Sequence, residues 1–123
     1  MTDLIIKKTR VTPEVTFRSN GDLTMEGVTL PEDAGKFYHK LVSFIENLES
    51  ENIQLTIKFD YINTTSAKQL YLIFKALENK SDRSKITIDW NYPEDDEDIY
   101  DSGKHYESLF KNINFRFVAY ADA

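Results

Sequence analysis

Two hydrophobic periods succeed one another between residues 53 and 77, and they restrict what this chain can become. Ile53, Leu55, Ile57 and Phe59 recur at every second position, the period of a half-buried strand. Leu70, Ile73, Phe74 and Leu77 recur at helical spacing. A strand therefore ends and a helix begins within Asp60-Tyr61-Ile62-Asn63-Thr64-Thr65-Ser66, where one amide is followed by three hydroxyls. Side-chain oxygens of this kind accept hydrogen bonds from the free backbone N–H groups of a helix start. The same N–H groups, with the helix dipole, also favour a phosphate. The cluster is thus either a cap or a phosphorylation switch, and three successive hydroxyls exceed what a cap requires.

The flanking segments supply the rest of the architecture. Residues 14–18 alternate as a strand, Ser19-Asn20-Gly21-Asp22 reads as a hairpin turn, and residues 23–28 form the return strand. Leu4-Ile5-Ile6 is an additional edge strand or an ordered tail. Pro31 suits the first position of a helix, with Glu32 and Asp33 in its first turn and Phe37, Leu41, Phe44, Ile45 and Leu48 on its inner face. A second helix is expected from about Thr65 to Asn79, and a strand through Ile86, Ile88 and Trp90. A third helix spans Glu94 to Lys111, with Ile99, Tyr106, Leu109 and Phe110 inward and a weak point at Gly103. Phe115, Phe117 and Ala119 mark a final strand. A hairpin followed by α-β-α-β-α-β predicts a single α/β domain over residues 1–123, its mixed sheet antiparallel at the N-terminal edge and parallel beyond it.

Composition narrows the function classes. With no cysteine, disulfides, thiolate metal sites and cysteine nucleophiles are excluded. A net charge of -6 without a basic stripe argues against nucleic-acid partners. No stretch approaches the roughly 20 apolar residues of a membrane span, and Met1-Thr2-Asp3-Leu4 does not begin a signal peptide, so a cytoplasmic protein with no membrane partner is expected. The run Glu94-Asp95-Asp96-Glu97-Asp98 lacks the ligand spacing and glycine of a calcium loop and reads as a solvated helix start, with no metal. His39 and His105 belong to no catalytic constellation, no nucleotide-binding glycine motif is present, and no cofactor is expected. Tyr61, Trp90 and Tyr92 lie at or just past strand ends and are candidates for a partner-binding surface.

Several motifs in order along nearly the whole chain resemble the SiaC family of small bacterial regulators, which have a STAS-like, anti-sigma factor antagonist-like fold. They are Thr12-Pro13-Glu14-Val15, Met25-Glu26-Gly27, Pro31-Glu32-Asp33-Ala34 with Phe37-Tyr38, Tyr61-Ile62-Asn63-Thr64-Thr65-Ser66-Ala67-Lys68, and Trp90-Asn91-Tyr92 with the acidic run. The Tyr-x-Asn-Thr-[Ser/Thr]-Ser element is the specific one. The resemblance implies that Thr64 is a phosphoacceptor, with Thr65, standing where serine is usual, as the backup. Asn63, Thr65 and Ser66 then shape the switch loop and helix cap. It further implies a dedicated protein kinase, a PPM-type phosphatase, and an effector bound by the unphosphorylated form. In the family's best-known system that effector is a diguanylate cyclase, which links the protein to cyclic di-GMP and biofilm formation. The expected function is a non-enzymatic, phosphorylation-switched protein-binding regulator. The rivals are an anti-sigma factor antagonist-type partner switch and a small metal-dependent hydrolase.

Overall fold

The structure, a computed structural model, describes residues 1–121. Among them the chain forms β1 (Leu4–Ile6), β2 (Glu14–Phe17), β3 (Asp22–Thr29), α1 (Ala34–Asn47), β4 (Asn52–Ile62), α2 (Thr64–Glu78), β5 (Lys85–Pro93), α3 (Glu97–Leu109) and β6 (Asn114–Tyr120). The six strands lie in sequence order in one sheet. β1, β2 and β3 are antiparallel neighbours, and β3 through β6 are parallel. The three helical crossovers step in one direction across the sheet, so their common right-handedness places all three helices on one face.

That face holds the core. Leu23 and Met25 of β3, Ile53, Leu55, Ile57 and Phe59 of β4, and Ile86, Ile88 and Trp90 of β5 point into it and are buried. The other face is polar. One row across the sheet runs Thr16, Thr24, Thr56, Asp89 and Arg116. There the Arg116 guanidinium donates to both Asp89 carboxylate oxygens, at 2.6 and 2.9 Å. Trp90, expected at the partner surface, is fully buried. β5 runs on to Pro93, which puts Trp90 opposite Ile57 and Phe117 inside the sheet, and its Nε1 donates to the Ile99 carbonyl at 3.0 Å.

Two features near the junction of β4 and α2 escape the simple alternation. β4 carries one extra residue against β3: Gly27 pairs with Phe59, but Val28 pairs with Tyr61. This bulge reverses the side-chain phase, so Ile62 packs against the core while Tyr61 is left 53% exposed. Gly27 adopts φ +122°, a conformation that costs glycine little and other residues much.

The helices also depart from expectation at their ends. Asp33, and not Pro31, begins α1: its Oδ1 accepts from the Lys36 N–H at 3.0 Å. Tyr38 is fully buried, whereas Phe37 is only partly so. α3 starts at Glu97 and runs unbroken through Gly103. Gly103 is a point of close approach, since a Cβ there would stand 2.6 Å from Trp90 Nε1 and 2.7 Å from Phe117 Cε2. Leu109, expected to face inward, is 46% exposed.

Gly103→Ala tests that contact. Helix propensity alone favours alanine by about 1 kcal/mol, but the Trp90 ring is fully buried and the partly buried Phe117 ring is packed against the core, so neither easily yields. The expected result is a net loss of about 1–3 kcal/mol in urea denaturation; a gain would show that the rings move aside.

Candidate functional site

The three hydroxyls that follow Asn63 occupy three different environments. Asn63 is the N-cap of α2, and its Oδ1 accepts from the Ser66 N–H at 2.8 Å. Thr65 Oγ1 donates to the same Asn63 oxygen at 3.3 Å. Ser66 is fully buried. A chain of hydroxyls reaches it from the neighbouring elements: Tyr38 OH lies 2.5 Å from Thr29 Oγ1, which donates to Ser66 Oγ at 2.9 Å. Because Thr29 spends its proton on Ser66, Tyr38 donates to Thr29. Burial pushes the Tyr38 phenol up to about 12, which keeps that donor protonated. Thr64, the first residue of α2, is exposed, and its hydroxyl makes no hydrogen bond to any described residue. Of the three it is the one both accessible and unengaged.

Charge separates the candidates further. All three helices start at the same end of the sheet. α1 is capped by Asp33, and α3 by Asp96 with Glu97 and Asp98 in its first turn. α2 has a neutral cap and no acidic residue in its first turn. The positive end of its dipole is uncompensated, and the N–H groups of Thr64 and Thr65 have no acceptor among the described residues. Thr65 lines a small cavity together with Glu32 and Asp33, so a phosphate there would face two carboxylates. Thr64 faces the other way.

On that side lies an apolar groove of about 350 Å³ between α2 and α3, lined by Thr64, Ala67, Lys68, Tyr71, Tyr106 and Leu109 with His105 at its wall. It exists because α3 stands apart from α2 and aromatic side chains bridge the gap beneath. Tyr106 donates from its OH to the Ala67 carbonyl at 2.6 Å, and the Phe74 ring packs against Tyr106 and Phe110 with centroids 4.7 and 5.9 Å away. Tyr71 and Leu109 stay 41% and 46% exposed along its length, and Leu72 on α2 is 45% exposed. An apolar trough between two helices suits an amphipathic helix or a chain of anchoring side chains.

Of the expected partner surface, neither Tyr61 nor Tyr92 lines this groove. Tyr92 packs on Tyr100 at 5.0 Å, beside Glu94, Asp96 and Glu97. The acidic run caps α3 and is otherwise solvated, and among the described residues no three His, Asp or Glu side chains are placed to hold a metal ion. No helix of the described residues is long and apolar enough to cross a membrane. Sequence reasoning missed Lys68, Tyr71, His105 and Leu109 as groove residues. The available signal was Tyr71 and Leu72, apolar positions off the inward stripe of α2.

The family model of SiaC family regulatory phosphoproteins matches residues 6–120. No curated protein sequence matches the chain. Three solved structures share its fold. Apo-SiaC from Pseudomonas aeruginosa superposes with a TM-score of 0.85 at 23% identity, over 97% of this chain and 100% of that one. A second structure of SiaC from the same organism gives 0.80 at 23% identity, over 99% and 100%. The third, the diguanylate cyclase SiaD in complex with its activator SiaC, also from P. aeruginosa, gives 0.87 at 22% identity, over 96% and 100%.

The roles assigned to the hydroxyls separate in stability measurements. Ser66→Ala leaves the buried Thr29 donor without its acceptor and should cost about 1–3 kcal/mol in urea denaturation, whereas Thr64→Ala should stay within about 0.5 kcal/mol of the parent. Equal losses would mean that Thr64 is structural. Because the folded Tyr38 phenol titrates at about 12, above the ordinary value near 10, its contribution is complete below pH 10 and is lost as pH rises through about 12. Stability measured across that window should fall, and Tyr38→Phe should flatten the fall.

Proposed function

The chain belongs to the SiaC family of regulatory phosphoproteins, and from that premise we propose that it is a non-enzymatic partner switch whose unphosphorylated form docks an effector in the α2/α3 groove. Phosphorylation of Thr64 turns the switch off. A dedicated kinase writes the mark and a PPM-type phosphatase removes it, in the cytoplasm. The effector is a diguanylate cyclase, by analogy with the P. aeruginosa relative whose solved complex describes SiaC as the activator of SiaD.

The observation that carries this reading is the position of Thr64. It is an exposed, unengaged hydroxyl at the mouth of an apolar groove, on a helix N-terminus without a carboxylate. Phosphorylation adds about -1.5 to -2 charges at neutral pH. The domain accommodates that charge at the start of α2, where backbone N–H groups and the dipole favour it. A partner seated in the groove does not: its apolar side chains would be pressed against a hydrated dianion, and binding is lost through desolvation cost with no refolding of the domain. Thr65 is a poor second acceptor for the reason already given, the two carboxylates on its side of α2.

The test is the affinity for a purified diguanylate cyclase from the same host. Thr64→Asp should weaken binding by at least tenfold, about 1.4 kcal/mol, and Thr64→Ala should change it by less than about threefold. Tyr71→Ala and Leu109→Ala should each weaken it as well, which places the partner in the groove. Equal affinities for the Asp and Ala variants would sink the switch, and unchanged binding by the groove variants would move the docking surface elsewhere.

A further inference from the structure

Lys68 lies one helical turn after Thr64 on α2 and lines both cavities that flank this helix. On the α3 side it shares the groove with Thr64 and His105, and no carboxylate lines that space. On the α1 side it shares a polar cavity with Glu32, Asp33 and Thr65. It is exposed and forms no ion pair with any described residue. An ammonium on a flexible stem is thus placed between an acidic cavity and Thr64, whose exposed hydroxyl makes no hydrogen bond to any described residue. Residues at i and i+4 on a helix face each other across roughly 6 Å, within reach of a lysine and a phosphorylated threonine.

We propose that Lys68 is the positioning residue for the phosphate: phospho-Thr64 draws its ammonium to the α3 side, and the pair stands across the mouth of the groove. This rests on the reading of Thr64 as the switch and adds its mechanism. In the unphosphorylated protein Lys68 is shared between the two cavities and leaves the groove open. A dianion on Thr64 brings about -1.5 to -2 charges to the groove side one helical turn from the ammonium. That is comparable with Glu32 and Asp33 together, and Asp33 is already engaged as the α1 cap; the balance tips to the groove. The titratable groups that share these surroundings are Glu32 and Asp33 ahead of α1 and His105 on α3. A phosphate on Thr65 would instead compete with Glu32 and Asp33 for the same ammonium, on the side away from the groove.

The experiment uses the full chain with phosphothreonine installed at position 64 during synthesis, so it needs neither a kinase nor an effector. Phosphorus NMR follows the second ionisation of the phosphate against pH in the parent, Lys68→Met and Lys68→Arg. A lysine that contacts the phosphate favours its dianion. The midpoint should therefore rise by about 0.3 pH unit in Lys68→Met, in line with the energy of one helical i,i+4 ion pair, and return towards the parent value in Lys68→Arg. Raising the salt should shrink the difference. A merely structural lysine would not move the midpoint, and equal midpoints in the parent and Lys68→Met overturn the proposal. That result would leave the switch intact, because the switch itself is judged by the effector affinities of Thr64→Asp and Thr64→Ala.

Discussion

The last residue of β3 ties together the end of the molecule where β4 runs into α2. The Thr29 carbonyl accepts from the Asn63 N–H at 3.1 Å, and its hydroxyl joins Tyr38 of α1 to Ser66 of α2. One buried threonine therefore holds a strand and two helix starts in a fixed relation. Water does not compete for these bonds, because Thr29, Tyr38 and Ser66 are each fully buried, and breaking any one strands its partner. The bulge at Gly27/Val28 makes the clasp fit, since it re-phases β4 so that Ile62 is packed and Asn63 arrives at the end of Thr29. With the cap and Ser66 anchored in this way, the next exposed group, Thr64, is presented on a rigid base. A charge added there changes the surface and leaves the framework in place.

The groove and the charge pattern beside it follow from topology. Parallel strands in sequence order, joined by right-handed crossovers, put three helix N-termini at one end of the sheet and three helices on one face. Two of those N-termini carry aspartate caps; the middle one carries asparagine and is the natural place for an added anion. The wide spacing of α2 and α3 is set from below by the Phe74, Trp90, Tyr106, Phe110 and Phe115 rings, which fill the space between the helices and the sheet. Gly103 lets α3 come down onto Trp90, and α3 meets α2 through side chains, the Tyr106 hydroxyl on the Ala67 carbonyl and the Tyr106 ring on Phe74.

Much of this was legible from residue order. The periods of β4 and α2, the Asn-Gly hairpin, three helices and five of the six strands, and the presence of a helix cap at Asn63 are local properties that a linear pattern records; Leu4–Ile6 read equally as an edge strand or a tail. Pro31, expected at the first position of α1, is displaced locally: Asp33, two residues on, caps a helix that begins at Ala34. Gly103, Trp90 and Leu109 were read from local rules of propensity, strand ends and helical spacing, and each was overruled by a neighbour distant in sequence. Trp90 explains Gly103, and the register against Ile57 and Phe117 buries Trp90. The separation of α3 from α2 leaves Leu109 beside the groove.

By itself, the sequence determined that a strand runs into a helix through Asn63-Thr64-Thr65-Ser66, because periodicity and capping chemistry act over a few residues. Which hydroxyl does what was decided only in three dimensions. Ser66 is structural because Thr29 and Tyr38 reach it from 37 and 28 positions away in the chain. Thr65 turns towards Glu32 and Asp33, and Thr64 towards a groove that exists only once α3 has packed. Burial, charge and exposure at adjacent residues depend on which elements the fold brings against each side of α2, and no pattern along one helix encodes that.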